Sequence, residues 1–139
     1  MRDSPLFRAV ETSVHGAGLP YGYAVTAWST GAALIGRHGK ASPVFIFLFA
    51  AGAAAAYGTL KMLTWETRRE AERPLTKSPR PVRAGLIHVA AIALAIAAAL
   101  AVAQIPGDAS WFLAPFCATF VYLAGSSVEV ALVEDDPEA

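Results

Sequence analysis

Four apolar runs separated by short polar breaks set the pattern of this chain, at about 19–35, 43–63, 84–105 and 111–133. A helix rises ~1.5 Å per residue, so roughly 20 residues cross the roughly 30 Å hydrocarbon layer of a bilayer. The second, third and fourth runs have that length. The first is shorter and is diluted by Thr26, Ser29, Thr30 and glycines. None of the runs alternates apolar with polar residues, so the strands of a membrane barrel do not fit. The expected fold is an all-α integral membrane protein of four transmembrane helices, spanning 19–133.

The breaks carry the usual punctuation. Gly36, Gly39 and Pro43 separate the first two runs, and Pro106, Gly107 and Asp108 the last two. Trp111 with Phe112 opens the fourth run like an interfacial anchor, and Trp65 closes the second in the same way. Residues 1–18 read as an amphipathic N-terminal segment. Ser4 caps and Pro5 starts a short helix with Phe7, Val10 and Val14 on one face and Arg8, Glu11 and His15 on another. The stretch 16–23 is rich in Gly and Pro and predicts a hinge before the first span. Residues 1–20 lack the uninterrupted apolar core of a signal peptide.

Charge sharpens this picture through its placement. Eleven Lys and Arg balance eleven Asp and Glu, yet nearly all lie between or outside the apolar runs. The connection around 64–83, with the end of the second run, holds Lys61, Arg68, Arg69, Arg73, Lys77, Arg80 and Arg83. The opposite side has Arg37 and Lys40. The positive-inside rule puts the long connection in the cytoplasm, and four crossings put both termini there, in a multi-pass protein of the cell membrane. The basic connection is expected to touch anionic lipid headgroups. Glu66, Glu70 and Glu72 within it argue against nucleic acid. A short acidic tail, 134–139, follows the last span.

Candidate chemistry sits on the fourth run. Thr119, Tyr122, Ser126 and Glu129 are spaced by three, four and three residues, which stacks them on one helix face. A charge at the bilayer centre costs at least about 2.5–3.5 kcal/mol, so this stripe is expected to face protein or water. His88 enters the third run at the depth where Glu129 leaves the fourth. A short loop makes these two helices antiparallel neighbours. A titrating His88–Glu129 pair would suit proton or cation coupling; the plainer alternative is a pair that glues two helices. Tyr23, Thr26 and Thr30 give the first run a second polar face, while Trp28 is expected to pack. Glu11 and His15 could reach the same level from the N-terminal helix. No metal site is expected, since these residues lack metal-ligand spacing.

Gln104 is expected to bond another helix or water. The lone Cys117 reads as a buried spectator, and it cannot form an internal disulfide. No phosphate-binding loop, zinc-protease motif or nucleophile elbow occurs, so neither an enzyme nor a cofactor is indicated. Small residues recur at four-residue spacing on the second run, as Ala51/Ala55, Gly52/Ala56 and Ala54/Gly58. They permit close helix approach. Four thin helices enclose little volume, so a pathway is most easily built between subunits, and a homo-oligomer is expected. The functional expectation is a small oligomeric channel or transporter working through the Glu129/His88 stripe. The alternative is a non-catalytic accessory or scaffold subunit bound to another membrane protein.

Overall fold

The computed structural model describes the backbone of residues 5–68 and 81–134, with side chains over 20–63 and 85–128. The side chains of Glu11, His15, Trp65 and Glu129, the basic stretch 69–80 and the tail from 135 lie outside the described residues.

The chain folds as four helices: α1 (Pro5–His38), α2 (Pro43–Arg68), α3 (Pro81–Ala103) and α4 (Ser110–Glu134). The first three begin on proline, whose fixed φ and missing N–H suit the first helical position. The Ser42 hydroxyl accepts a bond from the Phe45 N–H (3.4 Å) and caps α2. Gly39 ends α1 with a left-handed φ of 86° and bonds back to the Ile35 carbonyl (2.9 Å).

Among the described residues, three helical segments are long and apolar enough to cross a membrane: Pro43–Leu63, Gly85–Ala103 and Ser110–Val128. They match the second, third and fourth runs of the sequence. The first run is helical, but its hydroxyls and glycines keep it out of that set. The hinge expected at 16–23 is absent, because α1 continues through Pro20 without interruption. A helix satisfies its own backbone polar groups, and Pro20 removes a single donor from it.

Helix α4 is the hub. It packs against α1, α2 and α3, α1 also packs against α3, and α2 rests chiefly on α4. His38, Phe45, Ala103 and Trp111 meet at one end of the bundle, so α1 and α3 run toward that end and α2 and α4 away from it. The contact surfaces are made of small residues. Ala91, Ala95, Ala99 and Ala103 form a buried stripe on α3, facing Ala114 and Ala118 of α4. A Cβ added at Gly125 would come within 2.8 Å of the Ala91 methyl, and one at Gly52 would run into the Phe112 carbonyl. Backbones this close exclude larger side chains and gain dispersion contacts in return.

Large apolar side chains point outward. Trp28, expected to pack, is 78% exposed, and Phe47 and Met62 are similarly bare. Trp111 reverses its expected role. It is buried and stacked on the Phe45 ring (centroids 5.0 Å apart, 5° between planes), not an interfacial anchor. Gln104, just past the end of α3, bonds the Leu100 carbonyl in the last turn of that helix (3.2 Å), not a neighbouring helix. Cys117 is free and partly buried.

Candidate functional site

The inward stripe of α4 is present for the three members whose side chains are described. Thr119, Tyr122 and Ser126 are all buried, as are Thr26 and Thr30 on α1. These two polar faces meet at a junction of α1, α3 and α4. Gly22 supplies the room. The point where its Cβ would sit is 2.6 Å from His88 Nε2 and 2.6 Å from the Tyr122 hydroxyl oxygen. An imidazole from α3 and a phenol from α4 therefore converge on bare α1 backbone, and any side chain at position 22 would displace one of them.

Ring contacts extend the junction. His88 meets Tyr122 edge to face, with centroids 5.8 Å apart and planes at 75°. Tyr122 meets Tyr23 of α1 at 6.1 Å. Such aromatic pairs contribute about 0.5–1.5 kcal/mol beyond their buried area. Ser126 lies one turn beyond Tyr122 on the same face. Its neighbour Gly125 is pinned against Ala91, one turn from His88.

The hydroxyls of this bundle divide into two kinds. Thr26 donates to the Gly22 carbonyl (2.9 Å), Thr30 to the Thr26 carbonyl (2.8 Å), and Thr59 and Ser127 to carbonyls one turn back (2.8 Å each). These groups are satisfied by their own helices, as hydroxyls in apolar surroundings usually are. Thr26 and Thr30, expected to form a polar lining, thus spend their donors locally. Ser126 is different: among the described residues its buried Oγ, on a side chain only 7% exposed, has no hydrogen-bond partner. An unmet hydroxyl in such a place costs roughly 1–3 kcal/mol.

Thr119 faces elsewhere. It lines an open cleft of about 550 Å³ between α1 and α2, floored by α4. Tyr23 forms one wall of the cleft, Phe49, Ala53 and Tyr57 the other, and Leu123 joins Thr119 at its base. Tyr23 therefore borders both the cleft and the junction.

A second polar node, absent from the sequence expectations, occupies the other end of the bundle. His38 Nε2 lies 3.0 Å from the Ala103 carbonyl and 3.1 Å from Ser110 Oγ, which itself donates to the Gly107 carbonyl (2.8 Å). A carbonyl only accepts, and Ser110 has given its hydrogen to Gly107. His38 Nε2 therefore carries a hydrogen shared between two acceptors. A basic residue in the last turn of a helix is a known partner for terminal carbonyls, and that was the available signal for His38.

Of the sequence candidates, the structure brings together His88, Tyr122 and Tyr23, with Ser126 one turn beyond Tyr122 and Gly22 as a member the sequence did not single out. Thr26 and Thr30 line the interior beside them, and Thr119 sits in the cleft. Glu129 belongs to α4 one turn past Ser126, and Glu11 and His15 belong to α1, with side chains outside the described residues. No cluster of three or more His, Cys, Asp or Glu able to hold a metal occurs among the described residues. Comparison with protein-family models, curated proteins and solved structures finds no match.

Proposed function

We propose that this protein is a small membrane channel or transporter, acting as a homo-oligomer, whose ion site is the junction of His88, Tyr122 and Ser126 with Glu129 as its acidic member. The observation that carries this reading is the buried Ser126 hydroxyl, without a hydrogen-bond partner among the described residues and one helical turn from Tyr122, which meets the His88 imidazole. An ionisable side chain within a membrane segment, as His88 and Glu129 are in this reading, faces the bundle interior or a hydrated cavity and serves ion and proton paths. Helix register adds support. From the close pair Gly125/Ala91, a turn of four residues along α4 and of three back along α3 arrives at positions 129 and 88. In this reading α1 is a fourth span, and the basic connection and both termini face the cytoplasm, where the connection meets anionic headgroups. The narrow alanine interior leaves any wide passage, beyond the junction itself, to surfaces shared between subunits.

The test is ion flux through purified protein in liposomes, across a range of pH. His88→Ala and Glu129→Gln should each abolish most of it; flux unchanged in both would remove the site. A second reading, an accessory subunit of a larger membrane assembly, draws on α2. Ala51 and Ala54 are exposed, and a Cβ at Gly58 would meet nothing within 4 Å, so a small-residue face is open to another helix. Absence of flux together with stable co-purification of a second membrane protein from native membranes would favour it.

A further inference from the structure

We propose that the species handled at the junction is a proton, not a metal cation, and that it passes between His88 and the α1/α2 cleft through the hydroxyls of Tyr122 and Tyr23. This rests on the transport reading above and names its substrate and route.

Space argues for the proton. His88 Nε2 and the Tyr122 oxygen both lie 2.6 Å from where a single methyl would stand on Gly22. The space over Gly22 is thus filled by an imidazole and a phenol, and a hydrated alkali cation has no place between them and the α1 backbone. A dehydrated cation needs a ring of oxygen ligands in place of its water. The side chains described here are one imidazole and a few hydroxyls. Those are too few oxygens to replace the hydration shell of sodium or potassium, and they are suitable carriers for a proton.

Connectivity supplies the route. His88 contacts Tyr122 (5.8 Å between ring centroids), Tyr122 contacts Tyr23 (6.1 Å), and Tyr23 forms a wall of the cleft. Inside the cleft Tyr57 and Thr119 carry further hydroxyls, and Tyr57 is 58% exposed. On this route His88, carrying a proton on each ring nitrogen, gives one to the Tyr122 oxygen as Tyr122 passes its own hydrogen to the Tyr23 oxygen and Tyr23 passes its hydrogen to water in the cleft; His88 is left a neutral imidazole that takes the next proton from water on its own side. Each phenol ends neutral, and rotation about its C–O bond resets it. Ser126, one turn from Tyr122, offers an oxygen that no hydrogen bond engages among the described residues. Tyr23 thereby becomes a relay residue, not merely a packing one.

The test uses the full-length protein in liposomes holding a pH-sensitive dye, with a potassium diffusion potential as driving force and parallel sodium and potassium flux assays. Proton flux is expected in the wild type, slower in heavy water, with no sodium or potassium flux of its own. Tyr122→Phe and Tyr23→Phe keep the rings and remove the hydroxyls. Each should lower proton flux about tenfold or more, the effect of losing one hydrogen bond in the transfer step. Helicity and elution as a single species in detergent establish that each variant is folded. Wild-type proton flux in both folded phenylalanine variants would overturn the relay. Sodium or potassium flux dependent on His88 would overturn the proton while leaving the transport reading in place. A wild-type protein that moves no ion would overturn both.

Discussion

The two ends of the bundle hold a histidine in opposite ways. At one end His38 shares a single N–H between the Ala103 carbonyl and Ser110, and Ser110 passes its hydrogen to Gly107. Trp111 and Phe45 cover the node. Donors and acceptors balance there, which ties the end of α1 to the α3–α4 turn. Toward the other end His88 meets Tyr122 at a steep angle and bare backbone at Gly22, and the Ser126 hydroxyl one turn from Tyr122 is unmet among the described residues. One node has the economy of a structural joint and the other an unspent hydrogen-bonding group inside a membrane-type core. Histidine content alone does not separate them; the serines beside them do.

That contrast can be broken by substitution, with stability read from unfolding of the detergent-solubilised protein. The largest effect belongs to the structural end. Trp111→Ala should destabilise by about 3–5 kcal/mol, since a buried ring leaves a cavity between α1, α2 and α4. A loss under about 1 kcal/mol would mean that the node is not tightly packed. Next comes Gly22→Val, expected to cost about 1–3 kcal/mol by overpacking. It should also abolish flux by separating His88 from Tyr122; a variant of normal stability and flux would contradict the close convergence there.

The serines give the finest distinction. Ser110→Ala should cost about 1 kcal/mol, because a hydroxyl engaged with both His38 and Gly107 is lost. Ser126→Ala should be neutral or slightly stabilising, because it removes an unsatisfied buried group. The same change should nevertheless reduce flux. Equal losses of stability in the two serine variants would erase the difference between the nodes.

Much of this was legible in the sequence. Residues 43–63 could be bounded because an apolar run between Pro43 and Lys61 leaves little choice of period or length. The inward stripe Thr119, Tyr122, Ser126 followed from three- and four-residue spacing on a helix that has to hide polar groups. Other features were not legible, for physical reasons. The break predicted at 16–23 relied on local propensity, yet α1 continues through Pro20. Trp28 and Trp111 exchanged expected roles, because burial depends on which side of α1 and α4 the neighbours stand. His38 drew no reading from the sequence, and only the fold brings it to the end of α3, 65 residues away in sequence. Gly22 carried no chemical signal at all; its importance is that two side chains from elsewhere require its emptiness.

The central position of α4 has a consequence for how the protein is made. Of the four helices it is the last to emerge from the ribosome, yet it is the one on which α2 chiefly rests. Until it enters the bilayer, α2 has scarcely any protein neighbour, and its Gly52 surface is left facing acyl chains. Docking of α2 is therefore postponed to the final insertion event, and a ribosome stalled before residue 110 would leave α2 apart from the α1–α3 pair.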